Sequence, residues 1–188
     1  MSLREIIKVP NPFLKVTAKP VTVIDEDILA ILDDMMETMY HANGIGLAAT
    51  QIAIDKRLIV MDCGKTKYES QNITEEEYNE KLKDEQIEPF PIKMINPEII
   101  SLNENLEERE EGCLSIPGYN AKIKRPSSLK VKYTDENKKD NIIDAEGLLA
   151  TCIQHEIDHL NGILFIDHLS KLKREIILKK AIKEYSKN

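Results

Sequence analysis

The chain of 188 residues is short of several features, and each shortage closes off a class of protein. No apolar run approaches the roughly 20 residues needed to span a bilayer. The opening stretch, MSLREIIKVPNPFLKV, has neither an apolar core nor a small-residue cleavage site, so no secretory leader is read there. Three cysteines (Cys63, Cys113 and Cys152) make no C-x-x-C pair, and an odd number cannot all pair within one chain. That usage suits a reducing compartment and excludes a disulfide-built scaffold. A cytoplasmic protein with no membrane partner is the expectation. No repeat, low-complexity tract or Pro/Gly/Ser linker divides the chain, so residues 1–188 are expected to form a single domain.

What is present is enough for one core. Hydrophobic residues make up 41% and charged residues 31%, a balance that fills an interior and coats a surface. The net charge of −7 argues against DNA binding by the body of the protein. The charge is uneven, however: from Lys171 to Asn188 there are seven Lys/Arg against two Glu, about +5, which leaves about −12 elsewhere.

Apolar spacing predicts a helix over residues 25–41, capped by Asp25 and ended by Asn43-Gly44. Strands are predicted at 57–62 and 92–95, then at 99–107, 120–124, 129–133 and 141–144. The acidic segment from about 64 to 89 reads as a surface insertion. Residues 145–160 form a helix apolar on more than one side, hence buried, with Gly162 as its C-cap. A basic amphipathic helix from about Ser170 closes the chain, with Leu169, Leu172, Ile176 and Ile177 expected on its packing side. The fold class is α+β: antiparallel strands packed around a central helix, with N-terminal and C-terminal helices.

The strongest chemical signal lies on the central helix, in His155-Glu156-Ile157-Asp158-His159. Imidazoles at i and i+4 share one helix face and can share a metal ion, while Glu156 sits about 100° round, free to handle a proton. The bland alternative is a pair of surface histidines, but burying two imidazoles and a carboxylate without partners is costly. A third ligand is needed. The H-x-x-G-x-x-H extension of one peptidase class fails at Phe165, and Glu175 and Glu184 lie in the polar terminal helix. Cys113, in Glu-Gly-Cys-Leu-Ser-Ile-Pro-Gly, is the remaining soft ligand, although a small buried core cysteine would look the same. Gly44, Gly46 and Ala49 fit a dinucleotide-binding spacing, yet they follow a helix and lead to a strand, the wrong order for that motif. Five of the seven glycines (44, 46, 112, 118 and 162) fall in these blocks, which points to special backbone geometry, with bare backbone at 44–46 open to an extended peptide.

EGCLSIPG, QHEIDHLNGILFIDHLS and GIGLAATQI, in the order GIGLAATQI first, together resemble the three signature blocks of the peptide deformylase family. The resemblance spans nearly the whole chain. It implies a metal-dependent hydrolase that removes the formyl group from N-formylmethionyl peptides. It implies one divalent metal ion held by Cys113, His155 and His159, with Fe2+ expected natively and Zn2+, Ni2+ or Co2+ accepted. Glu156 is implied as proton carrier, with the Gln51 amide and the Leu114 N–H as donors to the formyl oxygen. Ile45, Gly46, Glu111, Gly112, Leu148 and Cys152 would line the methionine pocket, and Arg125 would brace Glu111. The basic C-terminal helix reads either as a terminal helix docked on its own domain with its lysines in water or, as bacterial family members suggest, as a contact for the ribosome, and a monomer is expected. The segment 64–89 exceeds the family's usual loop, and Asn120 stands where many members carry Arg. An H-E-x-x-H metallopeptidase and a non-catalytic domain with a structural zinc are the rival readings.

Overall fold

The computed structural model describes residues 2–64 and 89–185. Helix α1 (Glu26–His41) begins where the Asp25 carboxylate accepts the Ile28 N–H, as its sequence position implies. Strands β1 (Gly46–Ala48) and β2 (Leu58–Asp62) follow, joined through a short 3-10 turn at Ala49–Ile52. Then come β3 (Pro91–Leu102), β4 (Leu106–Gly112), β5 (Asn120–Pro126), β6 (Ser128–Thr134) and β7 (Asp140–Glu146). Helices α2 (Gly147–Leu160) and α3 (Lys171–Tyr185) complete the order among the described residues. Among the described residues all pairings are antiparallel, in a five-stranded sheet β1-β2-β3-β6-β7 and a separate β4-β5 ribbon.

Alternation along β2 divides the core. Ile59 and Met61 face α2 and pack with Met94, Val131, Ile153 and Ile157. Leu58 and Val60 face the other way, onto Leu32, Met35 and Met39 of α1. A third cluster (Leu14, Ile116, Ile123, Phe165 and Ala181) lies under α3. Burying each large side chain contributes about 1.5–3 kcal/mol of transfer free energy. The helix α2 is therefore enclosed, and ten of its fourteen residues are buried.

Three expectations need correction. The strand expected at 99–107 is two strands: Asn103 accepts the Asn105 N–H on its side chain (2.8 Å), and the chain turns from the large sheet into the ribbon. The short strand expected at 92–95 is the first third of the twelve-residue β3, which keeps pairing past a bulge beside Asn96. On α3, Leu172 and Ile176 are exposed, whereas Ile177, Leu178, Ala181 and Tyr185 meet the third cluster. That helix is apolar on several sides, so spacing alone could not select its buried face. The insertion expected at about 64–89 lies, at 65–88, outside the described residues. Among those described, no helix is long and apolar enough to cross a membrane.

The N-terminal arm and the turn after β1 fix the C-terminal end of α2. Ala18 N–H donates to the Leu160 carbonyl (2.8 Å) and Thr50 Oγ1 to the His159 carbonyl (3.1 Å). Gly162 takes φ +73°, and a Cβ there would meet the Lys15 carbonyl oxygen at 2.5 Å. Gly162→Ala is therefore expected to lower stability by about 2 kcal/mol or more, read as a fall in urea midpoint; an unchanged midpoint would show that this contact yields.

Candidate active site

Three chain segments bring the site together. Helix α2 supplies His155, Glu156 and His159, the end of β4 supplies Glu111 and Gly112 with Cys113 just beyond, and the β1 block supplies Gly46 and Gln51. The candidate donor atoms of Cys113, His155 and His159 all lie within 4.8 Å of one another. Cys113 Sγ stands 3.1 Å from His159 Nε2, and the two imidazole rings meet edge to face at 5.0 Å. Phe165, the residue that breaks the longer histidine pattern, stacks on His155 at 6.3 Å.

The orientation of His155 is set from behind. Its Nδ1 lies 2.8 Å from Glu111 Oε2, and Glu111 is held by a two-pronged Arg125 contact, Nε to Oε1 at 2.6 Å and Nη2 to Oε2 at 3.0 Å. Arg125 also donates from Nη1 to Asp158 (2.8 Å), which in turn meets His168 Nε2 (2.7 Å). Burial alone would raise the Glu111 carboxyl, but His155 and Arg125 outweigh it and bring it to about 2. Burial, with the positive groups His155, Lys15 and Arg125 around it, lowers His159 well below the ordinary histidine range. A neutral imidazole is the form that binds a metal.

Glu156 behaves oppositely to Glu111. Burial lifts its carboxyl to about 7, with the negative charges of Glu111 and Asp158 adding to the effect. Its Oε2 is buried without a hydrogen-bond partner in the protein among the described residues, as is His159 Nδ1. A buried carboxyl with one idle oxygen, beside a thiol and two imidazoles, fits a divalent ion with a nearby proton acceptor. Borderline-soft donors of this kind accept several transition metals.

Gln51 is buried and locked. Its Oε1 accepts the Ala48 N–H (2.8 Å), which turns Nε2 toward Cys113 Sγ (3.4 Å) and Ser115 Oγ (3.2 Å). No acceptor takes the Leu114 N–H among the described residues. Both donors line a cleft of about 400 Å³, together with Ile45, Gly112, Leu148, Cys152 and Glu156. The expected pocket residues thus share one cleft, and Ile45 and Leu148 are each nearly half exposed at its mouth. Arg125 and His159 stand behind it.

Gly46 lines the same cleft. A Cβ there would overlap Glu156 Oε1 and come within 2.8 Å of Cys152 Sγ, so side chains of α2 also pack closely against this position. Two contributors were missed in the sequence: Ser115, two residues after Cys113, and Asp158, inside the H-E-x-x-H block. Both sit within the motifs, but their polar partners lie far along the chain. His168 is exposed and tied to Asp158.

A buried H-E-x-x-H helix facing a cysteine across a cleft is the apparatus of a metal-dependent hydrolase. The family model described as polypeptide deformylase matches residues 3–175. A peptide deformylase of Bradyrhizobium diazoefficiens is 50% identical over 180 residues, covering 96% of this chain and 95% of that protein. One of Methylocella silvestris is 48% identical over 180 residues, covering 96% and 84%. The crystal structure of peptide deformylase from Ehrlichia chaffeensis superposes with a TM-score of 0.85 at 38% identity, over 99% of this chain and 98% of the other. The same protein in complex with actinonin gives 0.83 at 38% identity, over 98% of each. The chain belongs to the polypeptide deformylase family, whose activity is removal of the formyl group from N-formylmethionine peptides, and it is an enzyme of that kind.

Removing Arg125 would leave Glu111 charged, buried and half-partnered. Arg125→Ala is expected to cost roughly 3–5 kcal/mol of stability and to weaken metal binding by about 10–100-fold. Urea unfolding and a competitive chelator titration read the two effects, and a variant matching the parent in both would remove Arg125 from the site's support.

Proposed function

We propose that Cys113, His155 and His159 hold one divalent metal ion, Fe2+ in the cell, and that Glu156 carries the proton for deformylation. The observation that carries this reading is Glu156 itself: a buried carboxyl near pKa 7, with an unpartnered oxygen, beside the three clustered donors. An ion held there supplies Lewis acidity and makes water acidic enough to deprotonate near neutral pH.

The chain's own residues do the rest. Glu156 accepts a proton from the attacking water and returns it to the departing amine nitrogen, a task suited to a carboxyl titrating near the working pH. As charge develops on the formyl oxygen, the Leu114 N–H and Gln51 Nε2 donate to it. Gln51 must loosen its contact with Ser115 or Cys113 to do so. Donors of this sort contribute about 3–4 kcal/mol in the transition state. The methionine side chain enters between Ile45, Gly46, Leu148 and Cys152, with Glu111 and Gly112 on the opposite wall. The products are formate and a free N-terminal methionine.

We read residues 1–188 as one deformylase domain, monomeric and cytoplasmic. The exposed Lys171, Lys173, Lys179 and Lys180 of α3 support contact with ribosomal RNA. Co-sedimentation with ribosomes at low salt, lost at high salt and in a variant with these lysines changed to Glu, is expected. Salt-independent sedimentation would refute an electrostatic contact.

Anaerobically purified protein is expected to release formate from formyl-Met-Ala-Ser and to leave Met-Ala-Ser uncleaved, with about one metal per chain. Peptide cleavage without formate release would favour a metallopeptidase. Glu156→Ala should retain its metal while turnover falls by about 10²–10⁴-fold; full turnover in that variant would sink the mechanism.

A further inference from the structure

Two of the three cysteines meet, and the deformylation mechanism uses neither as a reacting group. Alternation along β2 puts Ile59 and Met61 on the α2 side, and Cys63, next in that series, packs against the same cluster, which includes Cys152. The Ile45 carbonyl fixes the other partner. It accepts the Asp62 N–H at 2.9 Å and the Cys152 thiol at 3.6 Å, so the Cys152 sulfur shares its acceptor with the backbone of the residue before Cys63. The two are 89 positions apart in sequence and are brought together by the β1–β2 pairing and the docking of α2. Cys152 is buried, whereas Cys63 is partly exposed.

We propose that Cys63 and Cys152 form a reactive dithiol, an oxidation site at which low-molecular-weight disulfides create a reversible cross-link that shuts the methionine pocket. The exchange balances in two displacements. The Cys63 thiolate attacks one sulfur of the small disulfide, forming a mixed disulfide and releasing one small thiolate. The Cys152 thiolate then attacks the Cys63 sulfur, forming the Cys63–Cys152 bond and releasing the second. The two protons lost by the cysteines pass to the two departing thiolates, and the small disulfide is the oxidant. Cys152 is the resolving partner, since the neighbouring Cys63 and its own burial push its thiol well up.

The consequence for the cleft follows from what Cys152 touches. Its sulfur fills the space over Gly46 beside Glu156, so turning it to Cys63 replaces its bond to the Ile45 carbonyl and reshapes the pocket floor. A reducing cytoplasm keeps the pair as thiols, and a rise in oxidised small thiols closes the site.

The activity arm of the test rests on the deformylase reading, and the chemical arm does not. Reduced, metal-loaded protein is treated with oxidised glutathione, quenched with acid and digested without reductant. The expected result is a Cys63–Cys152 cross-linked peptide and an intact mass lowered by two hydrogens. Formate release should fall on the order of tenfold and recover with dithiothreitol. Cys63→Ser should keep its starting activity and resist the treatment. A stable glutathione adduct on Cys63 with Cys152 free, a cross-link through Cys113, or an unchanged rate in the cross-linked protein would each overturn the proposal. If the reduced protein released no formate yet the cross-link still formed, the fault would lie with the assigned activity and not with the dithiol.

Discussion

The site depends on one buried ionic contact, Arg125 with Glu111. The two side chains come from opposite strands of the β4–β5 ribbon, where Glu111 pairs with Ala121 and Arg125 with Glu107, so the contact runs diagonally along the ribbon, and both are almost wholly removed from water. Burying such a pair adds little net stability, because desolvation offsets most of the attraction. Its value is geometric. Glu111 holds His155 through Nδ1, Arg125 reaches Asp158 on the same helix, and Cys113 follows Glu111 by two residues. The ribbon that presents the thiol and the helix that presents the imidazoles are thereby locked in one relative position. A metal site needs that precision, since donor atoms misplaced by an ångström bind weakly.

The same chain of contacts separates two carboxyls that differ little in burial. Glu111 has a guanidinium and an imidazole to face, and its proton leaves readily. Glu156 has no hydrogen-bond partner on one oxygen and has other carboxylates nearby, and it keeps its proton to about 7. One is thus an anion that orients His155, and the other titrates close to neutral pH. Environment alone makes the distinction.

Close packing between α2 and the β1 block creates both the pocket floor and its vulnerability. Gly46 must be bare for Glu156 and Cys152 to approach the strand. That approach brings Cys152 to the end of β2, where Cys63 shares its cluster. A side chain that shapes the pocket therefore also has a redox-active neighbour.

Much was legible in the residues. Helical spacing placed His155 and His159 on one face, because an α-helix repeats every 3.6 residues whatever surrounds it. The Asp25 cap, the Gly162 stop and the buried character of α2 are local properties too, and the structure carries all three. The sequence by itself therefore determined the α+β class and the shared face of His155 and His159 on α2. Tertiary structure decided the rest: that Cys113 reaches His159 across 46 residues, that Asp158 and Ser115 support the site, which face of α3 is buried, and that Cys63 lies beside Cys152. Those outcomes turn on contacts between segments distant in the chain, and no local periodicity encodes which surfaces will meet when the core closes.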